Sequence, residues 1–272
     1  MPHLVAAPDK FRGTASAGEV AAAVARAATA AGWSCDQIPV SDGGEGFCDV
    51  VGGHIRRATV RGPLGQPLRS YWRMKGSVAV VEMALASGLN LAGGPEGNDP
   101  VAADTAGTGQ LIAAAVTAGA RQVLVGMGGS ATTDGGMGAI SALEPLSRLA
   151  AVDLVVACDV TTRFLDAATV FAPQKGASPA QVELLTRRLQ RLAQMYEDRY
   201  GIDVRHLEGG GAAGGLAGGL AAAAGARLVA GFDAVAEILE LGDRMEAADL
   251  VVTGEGFLDE QSFAGKTVGG VA

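Results

Sequence analysis

Five carboxylates lie in short polar loops that follow apolar runs: Asp9 in "APDKFRG", Asp42 and Glu45 in "SDGGEG", Asp134 in "GMGGSATTDGG" and Glu255 in "TGEGF". Lys10 and Arg12 share the first loop, and Lys175 and Lys266 stand in "APQKG" and "AGKT". Acids so placed can hold a divalent ion between phosphates or take a proton from a hydroxyl. Cations beside them can neutralise an anionic substrate or a departing phosphate. Simple anion binding would need only glycines and cations, so the mixture of signs favours an enzyme over a binding module. Taken singly, each acid has a plainer reading as a helix cap or ion-pair partner, and each lysine as a solubilising group.

The stretch "VLVGMGGSATTDGGMG" (123–138) is the most suggestive of these loops. Gly128, Gly129 and Gly135 let backbone N–H groups face an anion, Ser130, Thr132 and Thr133 add hydroxyls, and the helix that follows adds a favourable field. This composition suits a phosphate cradle, and nearly as well a tight turn in which Asp134 caps the helix. No complete P-loop is present: "AGKT" has Glu260 where the first glycine is required, and the preceding strand is too distant. "GGGAAG" at 209–214 fits the dinucleotide pattern literally, through Gly209, Gly211 and Gly214, but no strand runs into it.

Such loops need a scaffold that collects them on one edge. "HLVAAP" reads as a strand, and "SAGEVAAAVARAATAAG" as a helix capped by Ser16 and stopped at Gly32. "QIPV" reads as the next strand, with "SDGGEG" as its loop. "RQVLVGM" and "VDLVVACDV" are almost continuously apolar, as parallel strands buried on both faces are. "SPAQVELLTRRLQRLAQMYEDRYG" is an amphipathic helix opened by Ser178 and Pro179. The glycine- and alanine-rich "EGGGAAGGLAGGLAAAAG" reads as a loop entering a helix rather than a linker. Residues 55–85 alternate short β-rich runs with Gly-Pro turns, as antiparallel strands of an inserted domain would. Repetition of strand, glycine loop and helix predicts a parallel α/β sheet with its ligand at the carboxyl ends of the strands.

Composition narrows the partners. The 272 residues suffice for one large or two modest domains, and 41 glycines without a collagen period imply many tight loops. A net charge of -8 leaves no basic stripe for nucleic acid or an anionic membrane surface. Three cysteines and three histidines, scattered through the chain, form no zinc pattern and suit a reducing, cytoplasmic setting. The N-terminus has no secretory pattern and no apolar run reaches membrane-spanning length.

The motifs "APDKFRG", "DGGEG", "EMALASGL", "GTGQLI", "GMGGSATTDGG", "FAPQKGA", "GAAGGL" and "GEGFLDEQSFAGK" run in order from one end of the chain to the other. In this set the chain resembles the bacterial glycerate kinases, the class that includes the glycerate 2-kinases. The resemblance implies ATP- and Mg²⁺-dependent phosphorylation of D-glycerate, with 2-phosphoglycerate favoured over 3-phosphoglycerate, in a cleft between two α/β domains. One would be Rossmann-like or flavodoxin-like with a parallel sheet, over 1–56, 101–164 and 246–272. The other would be a smaller inserted α/β domain with antiparallel strands, over 57–100 and 165–245. A homodimer is allowed.

On this reading Asp42, Asp134 and Lys10 are catalytic, with Asp42 the general base. Asp9, Arg12, Glu45 and Lys266 bind substrate, with Lys10 and Arg12 on the glycerate carboxylate. Gly128, Gly129, Ser130, Thr132, Gly135, Gly211, Gly214, Gly254 and Glu255 bind nucleotide or phosphate, and Asp42 and Glu45 hold Mg²⁺. The competing reading is a catalytically silent nucleotide- or sugar-acid-binding module of the same fold. The chain departs from the family where Lys10 and Arg12 replace a serine and a lysine. After "GMGAISAL" and after "GKTVGGVA" the family carries further sequence, so missing segments are expected at both places.

Overall fold

Local sequence sets the two most regular helices. Ser16 caps the helix Ala17–Ala30 and Ser178 caps Pro179–Tyr200, each in a reciprocal capping box, with Glu19 and Gln181 respectively. The structure, a computed structural model, describes residues 1–11, 13–257 and 267–272. Its strands are β1 (His3–Ala6), β2 (Ser34–Gln37), β3 (His54–Arg61), β4 (Pro67–Lys75), β5 (Val78–Glu82), β6 (Gln122–Gly126), β7 (Asp153–Ala157), β8 (Arg227–Val229) and β9 (Leu250–Val252). Its helices are α1 (Ala17–Ala30), α2 (Phe47–Val51), α3 (Ala84–Ser87), α4 (Gly94–Gly97), α5 (Ala106–Thr117) and α6 (Met137–Leu143). There follow α7 (Ala167–Phe171), α8 (Pro179–Tyr200), α9 (Ala212–Ala224), α10 (Gly231–Ile238), α11 (Leu241–Glu246) and α12 (Thr267–Val271).

Two compact units result. The smaller comprises Met1–Gly52 and Ala230–Ala272, and the larger, Gly53–Val229, is inserted into it. In the smaller unit a parallel sheet of order β2-β1-β9 buries Leu4 and Ala6 against α1. Its other face packs Val5 with Ile38, Val40, Phe232, Leu241 and Val271. The strand expected at "QIPV" lies earlier, at Ser34–Gln37. As a half-exposed edge strand it needs no apolar run, and Ile38 and Val40 only continue its hydrogen bonding, to Ala6 and Pro8.

The larger unit is a mixed sheet of order β3-β4-β5-β6-β7-β8, antiparallel from β3 to β5 and parallel from β5 to β8. Residues 101–164 therefore share one sheet with the strands of 57–100, whereas the sequence reading placed them in different domains. Helices α5 and α6 approach closely because a side chain at Gly109 would run into the Ala139 carbonyl. Helix α9 is buried along almost its whole length, which rules out a linker there. Among the described residues no helix is long and apolar enough to cross a membrane.

Candidate active site

In the smaller unit the loops after β1, β2 and β9 run side by side. Asp9 N–H donates to the Gly254 carbonyl (2.9 Å), Thr253 Oγ1 to the Ala7 carbonyl (2.8 Å), and Val40 N–H to the Pro8 carbonyl (3.0 Å). The strand ends thus gather Asp9 and Lys10, Asp42 to Glu45, and Gly254 with Glu255. Lys10 Nζ lies 3.1 Å from Asp42 Oδ1 and 3.5 Å from Asp9 Oδ1. Asp42 Oδ1 also accepts the Gly44 N–H (3.0 Å), which fixes the turn that presents it. Asp9 is buried, takes the Lys10 N–H on Oδ1 (2.6 Å), and takes the Thr267 hydroxyl on Oδ2 (3.0 Å). Burial pushes the Asp9 carboxyl up, Lys10 opposes this, and the nearby Asp42 charge adds to it.

Glu45 is exposed, and Glu255 keeps one buried oxygen without a hydrogen-bond partner. Arg12 and Lys266 lie outside the described residues. Thr267 was absent from the sequence reading of the site; the signal for it was the "GKT" triplet, set aside once the P-loop failed.

In the larger unit the 128–136 loop leaves β6 and enters α6. Ala131 N–H donates to Ser87 and Leu89 N–H to Gly129, which ties the loop to the "EMALASGL" segment. Asp134, 6 % exposed, accepts four hydrogen bonds. Oδ2 takes Thr105 N–H (2.9 Å), Thr105 Oγ1 (2.8 Å) and Gly138 N–H (3.0 Å), and Oδ1 takes Gly136 N–H (3.1 Å). The N-cap of α6 is Gly136 and not Asp134, as the plainer reading had it, but Asp134 takes N–H groups at the start of α6 and fastens it to the head of α5. Burial pushes its carboxyl up while these donors pull it down.

The second glycine loop packs directly on the first. Gly135 N–H donates to the Gly214 carbonyl (3.0 Å), and Thr132 Oγ1 reaches the Ala213 carbonyl (3.4 Å). Ala213, Gly214 and Gly215 are successively left-handed, with φ of 52°, 68° and 93°. At Gly214 a side chain would strike the Thr132 carbonyl, so both the conformation and the contact require glycine. Thr132 and Gly135 are thus brought against Ala213 and Gly214, whereas Gly211 donates its N–H to the Thr162 carbonyl (2.9 Å) and is held on that segment instead. Thr133 is fully buried and its hydroxyl has no partner.

Lys175, counted in the sequence as one of four candidate cations but given no role of its own, penetrates this cluster. It is 3 % exposed, and Nζ lies 2.7 Å from both Ser130 Oγ and the Thr132 carbonyl oxygen. Burial pulls its ammonium down to about 7, against the raising influence of Asp134. Between pH 7 and about pH 10 the unfolded chain holds a proton that the folded lysine has lost, so its contribution to stability rises with pH across that window. Urea unfolding at pH 7 and about pH 9.5 should therefore show the wild type gaining on Lys175→Met by on the order of a few kcal/mol; parallel stabilities would refute this titration.

Among the described residues no group of three or more His, Cys, Asp or Glu side chains could hold a metal by itself. Asp42 Oδ1 is already engaged by Lys10 Nζ and the Gly44 N–H, while the Glu45 carboxylate is exposed on the same loop.

The glycerate kinase family model matches residues 4–146 and 144–272. The chain is 40 % identical to the glycerate kinase of Bacillus subtilis (strain 168), over 99 % of this chain and 80 % of that one. It is 36 % identical to the glycerate 2-kinase of Escherichia coli (strain K12), over 99 % of this chain and 81 % of that one. A crystal structure provisionally assigned as glycerate kinase 2 of Salmonella typhimurium LT2 superposes with a TM-score of 0.88 at 35 % identity, covering 99 % of this chain and 82 % of the other. With a family model matched from residue 4 to residue 272 and relatives this similar along nearly the whole chain, the protein belongs to the glycerate kinase family.

Proposed function

We propose that the protein phosphorylates D-glycerate with ATP and yields 2-phosphoglycerate. The observation that carries the reading is the Asp9-Lys10-Asp42 cluster, where a cation is held between two acids on adjoining strand ends. Lys10, with Arg12, binds the glycerate carboxylate. Asp42 takes the proton of the substrate hydroxyl as its oxygen attacks the γ-phosphorus and the bond to the β-phosphate oxygen breaks, releasing ADP. Asp9, held by Thr267, keeps Lys10 in place, while Glu45 and Lys266 complete the substrate contacts. Gly128, Gly129, Ser130, Thr132 and Gly214, with Gly254 and Glu255, receive nucleotide phosphates, while Gly135 and Gly211, whose N–H groups are donated to the Gly214 and Thr162 carbonyls, shape the loops. Asp134 serves catalysis by bracing the first of these loops.

Mg²⁺ would enter with the nucleotide and be held by Asp42 and Glu45, where it supplies charge neutralisation of the phosphates. We place the reaction in the cytoplasm and allow a homodimer. Coupled measurement of ADP release is expected to show turnover that requires D-glycerate. Nucleotide binding without turnover would favour the silent binding module instead.

A further inference from the structure

Lys175 reaches the phosphate loop from behind, and its placement is over-determined. Asn98 Nδ2 donates to the Lys175 carbonyl (2.9 Å) and to the Ala131 carbonyl (3.0 Å), which locks the lysine's backbone to the residue between Ser130 and Thr132. Phe171 lies beside the ammonium, its ring centre 6.0 Å from Nζ. Among the described residues the contacts of Nζ are the Ser130 hydroxyl and the Thr132 carbonyl, with no carboxylate at ion-pair distance, and Asp134 is the acid whose charge it feels. A buried ammonium without a paired acid is costly, and an apolar side chain of the same length would pack there at less expense. An anion arriving from outside the chain would remove that cost and let the buried lysine keep the proton it otherwise loses.

The hydrogen bonds define what that anion meets. Facing a phosphate the lysine keeps its proton and has donors only. Its two short contacts make acceptors of Ser130 Oγ and the Thr132 carbonyl oxygen. The Ser130 hydroxyl proton must then point away from Lys175, in a loop whose neighbouring residues are anchored to Ser87 and Leu89. Resting on the kinase reading above, we propose that Lys175 is a positioning residue: it fixes the Ser130 hydroxyl as a donor to a phosphate oxygen of the nucleotide and sets a positive charge directly behind that contact.

The test is a double-mutant cycle on the full chain, with ATP and D-glycerate for turnover and the non-hydrolysable AMP-PNP for calorimetric binding. Ser130→Ala should lower kcat about 10- to 100-fold, the scale of losing one aimed donor. Lys175→Met should lower it at least as much, and the double variant should fall no further than Lys175→Met within about twofold. AMP-PNP affinity should weaken about tenfold in each single variant while KM for D-glycerate stays unchanged. Losses that multiply in the double variant would overturn the coupling. So would a Ser130→Ala protein with wild-type kcat and AMP-PNP affinity, and this arm decides the matter even where Lys175→Met does not fold. A wild-type protein that binds AMP-PNP without turnover would refute the kinase reading instead, and the binding arm would still judge the pair.

Discussion

Asp42→Asn is expected to lower kcat by about 10²- to 10⁴-fold, the range a positioned general base supplies, with an unfolding midpoint close to wild type. The substitution keeps the shape of the side chain. Its amide oxygen can still accept the Gly44 N–H that shapes the turn and can still meet Lys10 Nζ. What disappears is the negative charge and the ability to take a proton. The Lys10 and Asp42 side chains are 13 % and 26 % exposed, so their ion pair is partly screened and worth about 1 kcal/mol or less to stability. Loss of activity should therefore far exceed loss of stability, as read by steady-state kinetics beside urea unfolding. A variant that turns over at the wild-type rate would take the proton-accepting role away from Asp42.

The parts of this molecule that were legible in the sequence are those written in local patterns. Ser16 and Ser178 announce their helices within four residues, and β6 and β7 announce themselves because both faces of a parallel strand are buried. β2 escaped because an edge strand of a three-stranded sheet owes nothing to hydrophobicity. Nothing in the residues of β6 says that it pairs with β5 in one sheet, since that choice is made by a crossover between distant strands. The same division holds for the site. Asp9, Lys10 and Asp42 were visible because each follows a strand end, and strand ends converge. The hydroxyl that braces Asp9 comes from Thr267, 258 residues along the chain, and no local signal joins the two. Lys175 was read as one cation among several because lysines are ordinarily exposed, and only the fold shows it buried against Ser130 and Thr132 of the 128–136 loop.

Asp134→Asn should show the opposite signature from Asp42→Asn: a loss of about 2–4 kcal/mol in unfolding free energy, with activity falling because the loop loses its shape. The carboxylate meets only donors, three on one oxygen and one on the other. An amide replaces one oxygen by an NH₂ group. With its oxygen toward Thr105 and Gly138, the NH₂ confronts the Gly136 N–H; turned round, it confronts the two N–H groups and displaces the Thr105 hydroxyl. Either way at least one buried donor loses its acceptor, at about 1–3 kcal/mol, and the remaining bonds lose the strength that an ionised acceptor gives. Burial pushes the Asp134 carboxyl up, and its four donors oppose this by favouring the carboxylate. That charge is the one Lys175 feels, and its removal should lower the lysine's proton affinity further. Urea unfolding and kcat measured on one preparation separate the alternatives. Stability within about 0.5 kcal/mol of wild type would refute the brace, and if kcat collapsed at the same time Asp134 would belong among the groups that meet the substrate.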